Sequence, residues 1–451
     1  MRRLLTALAG LTLAIGPLPL SAQAPGPRLT VPYTEFTLDN GLHVILHRDT
    51  SVPTVSVNVW YHVGSGSEKP GRTGFAHLFE HLMFEGSKHV PEGAFDSWLE
   101  AAGGSNNGST NVDRTNYFID IPSSALELAL FLESDRMAYL LDTMTPARVD
   151  GQRDVVKNER RQSYENQPYG MAFLTLSELL YPANHPYSWP TIGSMEDLSA
   201  ATHEDVREFF KTYYAPNNAS LVIAGDIDLE HTRTLVEKWF EEVPRGPSAP
   251  PLAPPAAALT DVKRHTLTDR VQLPRLYLAW HTPAYFQAGD AAMDIAAHLL
   301  SGGKNARLYR RLVYELQIAQ DVTALQLSRA LGSVFLIMAT ARPGQTLEKI
   351  QAVIDEELDA LRAAPADDRE MTRTLNQIEA DFYRRMERVG GFGGKADQLN
   401  GYYTRTGMPD YFEEDLSRYR ALSAEDVRSA VRRYLPRDRR VELSVVPESQ
   451  Q

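Results

Sequence analysis

The spacing of apolar and polar residues divides this chain into strands and helices in two successive blocks. In the first, Phe36-Thr37-Leu38 and His43 to Leu46 flank Asp39-Asn40-Gly41, the composition of a hairpin turn. Thr54 to Val63 alternates with period two, which places Val55, Val57, Val59 and Tyr61 on one face of a strand. The repeat then becomes helical near 73–86, 91–103, 124–140 and 147–163. A further helix near 203–213 leads into the apolar run Ser220 to Ala224.

That last unit recurs. Glu204-Asp205-Val206-Arg207, then Tyr214-Ala215-Pro216 and a strand, match Glu425-Asp426-Val427-Arg428, then Tyr434-Leu435-Pro436 and the strand Val441 to Val446. The offsets are 221 and 220 residues, and each copy ends its half of the chain, so the pattern indicates an internal duplication. Between the halves, the proline-rich stretch after Arg245 has the composition of a semi-rigid linker. Strands mixed with helices in each half predict two homologous α+β domains. Each is expected to be a mostly antiparallel sheet packed with helices, over 28–245 and 263–449, with the linker at 246–262.

Composition narrows the chemistry. The 451 residues are 43% hydrophobic and 23% charged, proportions that exclude disordered, collagenous and coiled-coil classes. The chain has no cysteine, so any metal must be held by His, Asp or Glu. Arg2-Arg3, an apolar segment broken by Gly16, Pro17 and Pro19, and Ala22-Gln23-Ala24 read as a secretory signal over 1–24. This predicts export to the periplasm, with no membrane span in the mature chain. Loss of Arg2 and Arg3 takes the formal charge from −12 to about −14, which excludes nucleic acid as a partner because its phosphates need Lys and Arg.

The chemistry concentrates in Gly74-Phe-Ala-His-Leu-Phe-Glu-His-Leu-Met-Phe84, an apolar helical stretch. His77 and His81 stand one turn apart, so both imidazoles project from one face and can share a zinc ion at about 2.1 Å. Glu80 shares that face without having to bind metal and can take a proton from a water held there. H-x-x-E-H is the inverted zincin motif. A catalytic zinc needs a third protein ligand, and Asp154, Glu159 and Glu165 on or near the 147–163 helix are all candidates. Gly390-Gly-Phe-Gly-Gly394 reads as a flexible loop, since no strand precedes it to make a phosphate cradle.

The chain resembles the pitrilysin-type, or inverted zincin, peptidases of family M16, which include insulin-degrading enzymes and the mitochondrial processing peptidase. It is most like the short bacterial members. Besides His77-Leu-Phe-Glu80-His81, the resemblance rests on Asn40-Gly41-Leu42, on Asn107 through Tyr117, on Arg153-Asp-Val-Val-Lys-Asn-Glu159 and on Ser301-Gly-Gly-Lys-Asn-Ala-Arg-Leu-Tyr309. It implies a zinc endopeptidase with Glu80 as base and Glu159, 78 residues beyond His81, as the third ligand. It further implies that Asn107, Gly108 and Ser109 lie on an edge strand that takes up substrate peptides by strand addition. Family members usually carry a second Glu seven residues before the ligand, where this chain has Gln152.

The resemblance also exposes a gap. Active members use an arginine and a tyrosine, seven residues apart, from the second half of a chain. The corresponding positions here hold Val313 and Gln320. Arg307 and Tyr314 have the same spacing but belong to an upstream motif. The implied assembly pairs this chain with a homologous subunit that supplies the arginine and tyrosine, as a heterodimer, with a homodimer the alternative. The competing functional reading is a non-enzymatic assembly or peptide-binding subunit of the same fold.

Overall fold

The computed structural model describes residues 28–448, so the signal reading at 1–24 lies outside the described residues. The first half is a six-stranded sheet in the order β1-β2-β6-β3-β5-β4. Its strands are β1 (Thr34–Thr37), β2 (His43–Arg48), β3 (Thr54–Tyr61), β4 (Ser105–Thr110), β5 (Thr115–Pro122) and β6 (Ala219–Gly225). Its helices are α1 (Phe75–Leu82), α2 (Ala94–Ala101), α3 (Leu126–Thr143), α4 (Pro146–Arg160), α5 (Ala172–Leu180), α6 (Met195–Ala200), α7 (His203–Tyr213) and α8 (Leu229–Phe240). The second half is a five-stranded sheet in the order β7-β11-β8-β10-β9. It contains β7 (Lys263–Asp269), β8 (Arg275–Thr282), β9 (Ala319–Leu327), β10 (Ser333–Ala341) and β11 (Val441–Pro447). Its helices are α9 (Asp290–Ser301), α10 (Leu347–Ala363), α11 (Asp368–Met386), α12 (Lys395–Thr406), α13 (Phe412–Arg420) and α14 (Ala424–Tyr434).

The two sheets share one topology. In each, the final strand runs parallel to the first of the common set (β6 with β2, β11 with β7) and antiparallel to the next (β3, β8). A hairpin partner and an edge strand complete both (β5 and β4, β10 and β9). The duplication read from the Tyr-x-Pro units therefore extends over whole domains. Even the caps repeat: Thr202 with Asp205 opens α7 and Ser423 with Asp426 opens α14, each as a reciprocal capping box.

Val55, Val57, Val59 and Tyr61 do share the core face of β3, under α1, α3 and α7. The opposite face, which the alternation left as the polar side, is equally buried: Ser56, Asn58 and Trp60 are 2%, 0% and 3% exposed. α12, from the second half, covers it. Asn400 donates from Nδ2 to Asn58 Oδ1 at 3.0 Å and to the Ser220 carbonyl at 3.2 Å. Asp397 Oδ1 accepts from Trp60 Nε1 at 2.9 Å and from Asn116 Nδ2 at 2.8 Å. The exchange is mutual, since α5 of the first half packs Ala172, Leu176 and Leu180 on the second sheet, against Tyr277, Ala279, Leu336 and Leu443. Asn58, Trp60, Asn116 and Ser220 on that face of the first sheet find their hydrogen-bond partners across the halves, as low-dielectric surroundings require.

Two expectations need correction. The helix expected over 147–163 is α-helical only to Arg160 and widens into a π turn over Arg161–Glu165. The glycine segment 390–394 is a packed turn rather than a flexible loop: Phe392 meets Phe118 edge-on at 4.9 Å, Gly393 donates its amide to Asp397 at 2.8 Å, and a Cβ at Gly390 would collide with the Asp120 carboxylate. No described helix is long and apolar enough to cross a membrane.

Candidate metal centre

α1 is short and starts at Gly74, whose φ of 90° lies in the left-handed region that only glycine enters without cost. Gly74 has no side chain to cap the helix, and Glu68 does so from outside: its carboxylate accepts from the Gly74 amide at 3.0 Å and the Ala76 amide at 2.8 Å. Phe75, Ala76, Leu78, Phe79 and Leu82 bury the rest of the helix. That leaves His77, Glu80 and His81 on the one remaining stripe. Opposite stands the last turn of α4, whose start is set by the Thr145 cap and Pro146 at its first position.

Glu159, at the end of α4, brings Oε2 to 3.2 Å from His81 Nε2 and 3.6 Å from His77 Nε2. The two imidazole rings lie 4.8 Å apart at 78° to one another. One donor atom from each of His77, His81 and Glu159 falls within 4.8 Å of the others, and this is the one such cluster of three or more His, Asp or Glu donors among the described residues. Burial pushes the His77 imidazole down to about 4, against the pull of Glu159, so it is neutral with a free lone pair at physiological pH. The hydrogen bond with His81 holds Glu159 below the usual carboxylate range. Two imidazole nitrogens and one carboxylate oxygen converging with one side left open fit a zinc ion.

Glu80 sits beside the cluster. Its Oε2 accepts from the Thr110 hydroxyl at 2.6 Å, and burial raises its carboxyl, with Thr110 and His81 opposing. Thr110 ends β4, the edge strand of the first sheet. The hairpin closes through Asn111 N to Arg114 O, and Asn107 and Ser109 pair with Phe118 and Asn116. In that register the main-chain groups of Asn107 and Ser109 turn inward to β5, while those of Gly108 and Thr110 face the free edge. A Cβ on Gly108 would lie 3.1 Å from Glu80 Cγ and from the Tyr117 ring, so glycine lets the carboxylate reach the strand.

Of the other residues singled out, Asp154 is exposed, and Glu165 is drawn off to Arg160 at 3.1 Å. Gln152 donates to Glu85 at 2.5 Å, a carboxylate close enough to His81 to be influenced by it. Arg307 is engaged by Glu370 at 2.5 and 2.8 Å. Val313 packs against the second core, Gln320 is exposed at the start of β9, and Tyr314 is 76% exposed. Sequence reasoning missed Glu68, Glu85 and Thr110. Thr110 lies within the quoted Asn107–Tyr117 stretch and could have been weighed there, whereas nothing in spacing marks Glu68 or Glu85.

A two-domain α+β chain whose H-x-x-E-H helix faces a glutamate on a second helix has the construction of an inverted zincin. Residues 43–186 match the family described as Insulinase (Peptidase family M16), and residues 200–378 match the Peptidase M16 inactive domain. The zinc protease PqqE of Helicobacter pylori is 31% identical over 371 residues, covering 80% of this chain and 82% of that protein. A solved structure of a protease from Helicobacter pylori aligns with a TM-score of 0.85 and 26% identity, over 93% of this chain and 100% of that one. The probable mitochondrial-processing peptidase subunit beta of Arabidopsis thaliana is 24% identical over 421 residues, 90% of this chain and 77% of that protein. The chain belongs to peptidase family M16.

Proposed function

We propose that this protein is a zinc-dependent endopeptidase subunit acting on peptides or unfolded segments, exported to the periplasm as the signal reading indicates. The observation that carries the proposal is the convergence of His77, His81 and Glu159 beside Glu80 on a sheet edge. When bound, zinc supplies Lewis acidity that polarises the scissile carbonyl and makes water more acidic. The chain's own residues do the rest. Gly108 and Thr110 turn main-chain groups to the free edge, where the Asn107 side chain accepts from the Gly108 amide at 2.8 Å until a peptide displaces it. Asn107, Gly108 and Ser109 thus line the seat of an extended peptide without demanding one sequence. Glu80, anchored through one oxygen by Thr110, accepts the proton of the attacking water with the other and returns it to the leaving amine. Gln152 acts on the site through Glu85. Domain limits of 28–245 and 263–449 around a 246–262 linker accompany this reading.

Val313 and Gln320 support a further element, a homologous partner subunit that supplies arginine and tyrosine. They also favour the competing reading, a peptide-binding subunit without activity. Metal analysis and peptide cleavage separate these. One zinc per chain in the parent, loss of zinc in His81→Ala, and retained zinc with abolished hydrolysis in Glu80→Gln are the expected results. Full zinc in His81→Ala would sink the metal assignment, and undiminished cleavage by Glu80→Gln would remove the base.

A further inference from the structure

The sheet face of β4 turned away from α1 gathers Arg114 and Arg405, with the Asp397 carboxylate near enough to act on Arg114. Ser109 lies on that face, opposite Asn116. Arg114 Nη1 donates to the Ser109 carbonyl at 2.8 Å and to its hydroxyl at 2.6 Å, and Arg114 Nε is buried without a partner. The Arg114 guanidinium lies 5.3 Å from the Trp60 ring centre. Arg405, exposed on α12, lies 5.4 Å from the same ring and 4.4 Å from that of Tyr285. The main chain of Arg329 accepts from the Tyr285 amide, and its guanidinium sits 5.5 Å over Tyr187.

The neighbouring carboxylates are already engaged. Asp397 accepts from Trp60, Asn116 and the Gly393 amide. Asp113 accepts from Tyr187 and from the Ala330 amide at 3.0 Å. Glu80 faces Arg114 from the other side of the strand and is held by Thr110. Among the described residues neither Arg114 nor Arg405 forms an ion pair, and aromatic rings lie beside both guanidinium groups. Such a pre-ordered guanidinium pair recognises a planar carboxylate. The negative charge of the whole chain does not cancel it, because exposed charges beyond about 8 Å are screened at physiological salt.

A peptide strand laid on the free edge continues the pleat, so the residue beside Gly108 faces Glu80 and the residue beside Ser109 faces the opposite way. We infer that this residue's side chain enters a subsite made by Arg114, Arg405 and Tyr285, and that the protein selects substrates with an aspartate or glutamate there. The inference rests on the peptidase reading, since it needs a peptide strand on β4.

The test uses the full-length, zinc-loaded Glu80→Gln protein, so that binding is read without turnover. The probes are fluorescein-labelled ten-residue peptides of Ala, Ser and Leu with a single Glu walked along the sequence, each with a Gln and a Lys twin. One Glu position should bind roughly tenfold or more tighter than its Gln twin. Adding Arg405→Gln should erase most of that preference and leave the Gln twin within about twofold. Adding Arg405→Glu, an exposed change that does not threaten folding, should turn the preference toward Lys. Equal binding of Glu, Gln and Lys twins at every position overturns the subsite while leaving the peptidase reading intact. A Glu preference that survives Arg405→Glu overturns it too. Failure of every peptide to bind overturns both readings.

Discussion

Glu159 and Glu165 are six residues apart on one charged segment, and only one of them faces the histidines. The reason is the change of helical pitch after Arg160: the π turn carries Glu165 round to Arg160, while Glu159 stays above α1. Glu159→Gln should therefore weaken zinc binding by orders of magnitude, and Glu165→Gln should leave it within about twofold, as measured by competition with a chelating dye. At the same scale, Asp294 titrates far from its ordinary value. Burial, with Asp290 nearby, raises it to about 7, and the Tyr419 hydroxyl at 2.8 Å opposes this. The folded state then holds a proton that the unfolded chain releases near pH 4, so stability present at acid pH is lost as pH rises from about 4 through 7. Asp294→Asn should remove this loss. Urea unfolding at pH 5 and pH 8 should show a gap smaller by on the order of 2 kcal/mol in the variant. An unchanged gap would mean that Asp294 ionises normally.

At the scale of the element, the apolar repeat of residues 75–82 is sufficient to predict a buried helix with one polar stripe, and that is what α1 is. What the repeat leaves open is how so short a helix is held, since isolated helices of this length are unstable. Glu68 supplies the missing cap from a preceding turn, and its removal leaves two buried amides without acceptors. Glu68→Ala should lower stability by about 1–3 kcal/mol in thermal or urea unfolding. It should also weaken zinc binding about tenfold, because both histidines ride on this helix. β3 teaches the converse: a period of two reveals a strand and its core face, yet the polar face is buried as well. Only the arrival of α12, with Asn400 and Asp397 to satisfy Asn58 and Trp60, explains why polar residues occupy a buried surface.

For the whole molecule, the halves are interlocked copies, each lending a helix to the other's sheet, and only the first carries the H-x-x-E-H set with its facing glutamate. α9 begins at Gly289, φ 102°, as α1 begins at Gly74, and the positions matching His77, Glu80 and His81 are Ala292, Ile295 and Ala296. The second half therefore cannot hold a metal in the same way. With Val313 and Gln320 in place of a guanidinium and a phenol, the isolated chain should cleave peptides slowly even when loaded with zinc. Adding a homologous subunit that carries the pair should raise the rate about 100- to 1000-fold, and mutating either residue in that subunit should abolish the gain. High specific activity in a homodimer without such a partner would refute this assembly.

Local pattern determined a great deal here. Residues three and four apart share a helix face wherever the helix lies, so His77, Glu80 and His81 were legible before any fold was known. The resemblance carried by several motifs singled out Glu159, and the repeat of the Tyr-x-Pro units disclosed the duplication. What only the tertiary structure decided involves groups distant along the chain: the Glu68 cap, the Gln152–Glu85 contact, the burial of both faces of β3, and the placing of Arg114 and Arg405 beside one Trp60 ring. The physical reason is that periodicity records which side of an element is turned inward, whereas the partner that satisfies a buried polar group is set by how the elements dock.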